Sequence, residues 1–149
     1  MSMTTVAAPG GTTGHYGHLV CPTLRQRLVN RVIKDHNLDE GTAAATIDAA
    51  LGFLKLCADH PDHQFAPSQQ VDLGWHTFLL YTREYQAFCE EFSGRFIHHA
   101  PDDDLSVTDQ ELRAVQTVDF MSDKGIPFDE ESWQVSARCS SGGSCRYTG

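Results

Sequence analysis

The chain has 149 residues, an apolar fraction of 40%, five cysteines and a formal net charge of -9. This length fits one domain with tails, the apolar content suits a modest core, and the negative balance repels phosphate backbones, which excludes nucleic acid as a partner. The odd cysteine set, the lack of any run of eighteen apolar residues and an N-terminus unlike a signal peptide lead us to expect a cytoplasmic protein outside the membrane.

Residues 1–17 are rich in Gly, Thr, Ser and Ala, so little burial could offset the entropy of ordering them. We expect a disordered arm over 1–17, a single helical domain over 18–135 and a flexible Cys/Gly/Ser tail over 136–149. His15 and His18 share an H-x-x-H spacing, but Gly10, Gly11, Gly14 and Gly17 oppose a helix and leave the pair as bystanders.

The first helix is predicted from Pro22 or Thr23 to His36, where Leu24, Leu28 and Val32 form an apolar stripe with Val29 and Ile33 beside it. A second runs from Glu40 to Ala58, with Ile47, Leu51, Leu54 and Cys57 or Ala58 on one side. The short link Asn37–Asp39 allows the two to pack as an antiparallel pair. Cys57 reads as a small core residue. The segment DHPDHQFAP, from Asp59 to Pro67, is a loop punctuated by two prolines. His60 and His63 lie in it, and Pro61 removes any shared helical face, so a solvated loop is favoured over metal ligation.

From the N-cap Ser68 to the stop at Gly94, positions 71, 75, 78, 82, 85, 89 and 92 read Val, Trp, Phe, Thr, Tyr, Cys and Phe. Their alternating spacing predicts one helix of more than twenty residues with a single buried stripe. Cys89 on that stripe is a buried thiol, because Glu90 and Glu91 beside it are the opposite of what a reactive thiolate needs. Asp72 and His76 stand four apart, about 40° from each other around the helix, and form a half-buried pair at the edge of the stripe. His98 and His99 follow Phe96 and Ile97. To bring His99 to His76 requires a break in the helix or an extended segment that runs back.

Between Ala100 and Trp133 ten acids face only Arg113 and Lys124. Ser106 and Asp109 form an S-x-x-D cap, and a last helix is expected over Val107–Lys124, ended by Gly125. Ile126, Pro127, Phe128 and Trp133 should cross the bundle as an irregular packed segment. The expected fold is therefore all-α, a small bundle of about four helices.

The chemistry these residues allow centres on Asp72, His76 and His99, with His98 as a further option. One carboxylate and two imidazoles suit a divalent transition metal such as zinc or iron and leave coordination positions for water or substrate. The structural alternative is a polar pair in which Asp72 accepts a hydrogen bond from His76. Without a metal, Asp72 could orient His76 as a general base, although no nucleophile falls at a predictable distance. A non-catalytic interaction module remains open as well, with Tyr81, Arg83, Tyr85 and the acidic segment as its surface. The partner would be a protein or a small molecule. No HExxH, phosphate loop or nucleophile elbow occurs. Cys139 and Cys145, with five residues between them, lack the C-x-x-C spacing, so no role is favoured over a second metal clip or a reversible disulfide.

The run VDLGWHTFLLYTREYQAFC, with GRFIHH after it, resembles the uncharacterised family of glycine-rich domain-containing proteins of plants and actinobacteria. The shared pattern falls on Asp72, Trp75, His76, Tyr85, Cys89, Gly94 and His99. Members often carry a second histidine in a WHTH run, and Phe78 in that place weakens a four-ligand reading. The resemblance implies a recurrent fold and site and supplies no established activity.

Overall fold

The computed structural model describes residues 16–100 and 106–134. Residues 1–15 of the expected arm, the acidic connection 101–105 and the tail with Cys139 and Cys145 lie outside the described residues. Among the described residues the chain is all-α, with five α-helices, a short 3₁₀ turn at Gly17–Leu19 and no strand.

Helix α1 spans Pro22–His36 and begins on a proline, whose missing N–H costs nothing in a first turn. It buries Leu24, Leu28, Val29 and Val32 and ends at Asn37, where φ of 56° turns the chain out of the helix. Helix α2 spans Glu40–Asp59, and the Asp39 side chain caps it by accepting the Thr42 N–H. Its buried positions are not confined to one stripe. Ile47, Leu51 and Leu54 are covered, and so are Ala49, Phe53 and Leu56. That wrap-round burial follows from the alanines, which let α1, α3 and α4 all pack against α2. By length and composition α2 could cross a membrane, and 56% of that apolar window is buried inside the bundle. Asp48 on α2 is buried too, and its two oxygens accept 2.8 Å bonds from the Arg25 guanidinium.

The long helix expected between Ser68 and Gly94 is instead two. Helix α3 spans Gln69–Leu79 and helix α4 spans Thr82–Phe92. The chain breaks at Leu80 and Tyr81, whose N–H groups donate to Thr77 and Phe78 carbonyls and tighten the last turn of α3. Thr82, assigned to the buried stripe, is exposed, whereas Val71, Trp75, Phe78, Tyr85 and Cys89 are buried. A kink lets both halves of the stripe face α2, which a straight rod of that length could not do. For this reason the bundle has five helices rather than about four.

Gly74 sets how closely α3 lies on α2. A Cβ there would fall 2.7 Å from the Thr46 carbonyl oxygen and 2.8 Å from the Ala50 Cβ, closer than atoms can approach. Helix α5 spans Val107–Lys124 within the expected bounds, capped by Ser106, whose hydroxyl accepts the Asp109 N–H. After it the chain crosses back as expected. The Ser68 hydroxyl donates to the Ser132 carbonyl at 2.6 Å, and Trp133 is buried 5.9 Å from the Phe53 ring. Tyr16, the first described residue, donates its hydroxyl proton to the Pro127 carbonyl.

Candidate metal centre

Asp72 lies in the first turn of α3, and His76 follows one turn later on the same face. His99 arrives from a separate segment, and the way it gets there explains most of the surrounding sequence. After α4, Gly94 takes a φ of 76°, which a side chain would resist, and sends the chain back along α3 and α4. The segment 95–100 has no helical structure and is held by its backbone. Tyr85 donates its hydroxyl proton to the Ile97 carbonyl at 2.5 Å and accepts the Trp75 indole N–H at 2.9 Å. The Ile97 N–H donates to the Cys89 sulfur at 3.4 Å. Both backbone groups of Ile97 are thereby satisfied in the core, and His99 is fixed two residues further on.

The result is a compact triad. His99 Nε2 lies 2.6 Å from Asp72 Oδ1, with the imidazole N–H donating to the carboxylate. His76 Nε2 lies 3.3 Å from Asp72 Oδ2. One donor atom from each of the three residues falls within 4.8 Å of the others, so Asp72, His76 and His99 form a group that could hold a metal ion. The two imidazoles meet edge to face with centroids 4.3 Å apart, and the other side of His99 leans on Trp75 at the same centroid distance. Trp75 in turn packs on Phe53 of α2. The triad therefore has a floor anchored in the core and an open top.

A family model described as UCP032817-like matches residues 17–122, more than half of the chain. The chain belongs to the UCP032817-like family. The description of that family names no activity, and the matched stretch contains the whole triad and all of the residues that position it. No curated protein and no solved structure matches the chain.

Of the residues singled out in the sequence, the structure brings Asp72, His76 and His99 together and leaves His98 out. His98 is exposed and stands against Phe96 with centroids 4.7 Å apart, on the opposite parity of the return segment. The pair expected to be half-buried is less covered than that at His76, whose side chain is 60% exposed. The tighter partner of Asp72 is also His99, not His76. His60 and His63 join Phe65 and Phe120 in an aromatic cluster, with His63 stacked on Phe65 at 5.6 Å. Tyr85 cannot belong to a partner surface, since it is fully buried, and Tyr81 is partly buried beneath the Arg27 guanidinium. Cys89 is buried as expected. Sequence reasoning took Trp75, Tyr85 and Cys89 as packing residues and missed their polar contacts with one another and with Ile97. A tyrosine, a tryptophan and a cysteine on one buried stripe was the available signal, because their polar atoms need partners there.

Proposed function

We propose that the protein binds one divalent transition metal ion, zinc or iron, through Asp72, His76 and His99. The observation that carries this reading is the convergence of three donors from two separate segments, with the most exposed of them, His76, aimed at the same carboxylate as His99. A core tether would have no use for His76. Ligand bonds near 2 Å place neighbouring donors about 3.3 Å apart around a tetrahedral ion. The 3.3 Å gap from His76 to Asp72 Oδ2 is at that value, while the 2.6 Å gap from His99 to Oδ1 is a hydrogen-bond distance that has to lengthen when an ion takes the proton's place. Two imidazoles and one carboxylate leave positions for water or an exchangeable ligand, in keeping with zinc catalysis or with non-haem iron. The likeness of this stretch to glycine-rich domain-containing proteins supports the same set, since all three residues belong to the shared pattern. Binding would displace the imidazole proton that now lies between His99 and Asp72.

A second reading is favoured by the short bond itself. Asp72 and His99 alone could serve as a structural clasp for the return segment. Metal content after exposure to zinc and to iron(II), measured on wild type, His76→Ala and Asp72→Ala, separates the two. The metal reading expects about one ion per wild-type chain and at least about tenfold weaker binding in both variants. Wild type that holds no more metal than the variants would leave only the clasp.

A further inference from the structure

The triad forms part of one wall of a groove of about 1140 Å³. Other parts of the lining are apolar, and Phe96 and Val107 among them are exposed. Among the described residues, the charged side chains that line the groove are Asp72, Arg95, Glu111 and Arg113.

Arg95 stands at the far end of the segment that delivers His99. Ile97 and His99 are covered there, whereas Arg95, Phe96 and His98 are exposed, and Arg95 lines the same groove as the triad. Among the described residues no carboxylate pairs with Arg95. Its charge is felt by the Cys57 thiol, another lining group. Four residues of chain span at most about 13 Å, and Arg95, the triad and the apolar Phe96 all line the one groove.

We infer that the groove takes a small organic carboxylate with an apolar, aromatic body, its carboxylate paired with Arg95 and its body laid against Phe96 and Val107 toward the metal. Guanidinium and carboxylate match as a two-pronged pair, and a planar body suits the exposed apolar lining. This assignment rests on the metal reading above.

The test uses the full chain in two steps. Calorimetric titration with cobalt(II) first reports ion binding. Phenylacetate is then titrated into the cobalt-loaded protein, with phenylacetamide as the uncharged counterpart, acetate as the carboxylate without a body, and Arg95→Gln as the variant. Phenylacetate should bind loaded wild type at least about tenfold more tightly than either comparison compound, and Arg95→Gln should weaken it by about 10- to 100-fold with cobalt binding unchanged. If cobalt loads but phenylacetate binds no better than phenylacetamide or acetate, or if Arg95→Gln binds it as well as wild type, the carboxylate assignment is overturned and the metal reading stands. If no cobalt loads, the metal reading fails and takes the assignment with it.

Discussion

On one side of the groove, α3, α4 and the return segment are joined by buried polar bonds, from Trp75 to Tyr85, from Tyr85 to Ile97 and from Ile97 to Cys89. On the other side, α5 reaches the bundle mainly through apolar contacts among the described residues. Its Thr117 hydroxyl accepts the Ala66 N–H at 2.9 Å, Val118 and Met121 enter the main core, and Phe120 meets the histidine loop. Ala114 and Val115 form only a small cluster of their own, and α5 makes no extended helix-to-helix contact. The contrast shows where precision is needed. The wall that carries the triad holds its donors by interactions that cannot loosen singly without exposing a buried polar group. The α5 wall, packed more through apolar contacts, is expected to open locally at lower free energy.

Tyr85→Phe should break the first wall with the largest effect. It leaves the Trp75 N–H and the Ile97 carbonyl buried without a partner, at about 1–3 kcal/mol for each group. Urea denaturation should show a loss of about 2–4 kcal/mol, and zinc binding should weaken because His99 loses its anchor. Gly74→Ala comes next. Its Cβ would meet Thr46 and Ala50, so α3 must shift from α2, and overpacking of this kind costs about 1–3 kcal/mol. Thr117→Val keeps shape but removes the acceptor for Ala66, at about 1–2 kcal/mol, with zinc binding unchanged. The contrast collapses if Thr117→Val costs as much as Tyr85→Phe or weakens zinc binding to the same degree.

The two walls also differ in how they can be read from sequence. Helix α5 was legible to its ends, because Ser106, the apolar spacing and Gly125 each act locally. So were α1 and α2, apart from one residue at the end of α2. The break at Leu80 and Tyr81 was not, since no glycine or proline marks it and the stripe continues through both halves. Thr82 was the clue, a polar side chain in a place that a continuous stripe would bury. Asp72 and His76 were legible as neighbours on one turn. The arrival of His99 was legible only as a condition, a break or a returning segment, and the molecule uses both. What spacing could not supply was the clamp on Ile97, because it joins residues eight and twelve apart whose contact depends on the turn at Gly94.

The smallest effects concern protons. Burial is the main cause that raises the Tyr85 phenol, with the Trp75 hydrogen bond acting the other way. Unfolded tyrosine ionises near pH 10, so above that value the unfolded state has lost a proton that the native state still holds. Stability from this group should be complete below about pH 10 and fall as pH rises further, and Tyr85→Phe should remove that part of the slope in urea titrations at pH 9 and 11.

Cys57 gives the finest check on the closed wall. Burial pushes its thiol up to about 12, against the opposing pull of Arg95. Alkylation requires the thiolate, and an ordinary thiol near 8.5 supplies on the order of a thousandfold more of it at pH 8.5 than a thiol held at that value. Cys21 is exposed and serves as the internal reference. With iodoacetamide at pH 8.5, peptide mapping should find Cys21 labelled while Cys57 is not. Addition of zinc should leave that ratio alone, because Cys57 lies outside the ligand set. Equal labelling of the two would mean that the groove lining around Cys57 opens freely, and the rigid side of the comparison would then be confined to the clamp on Ile97.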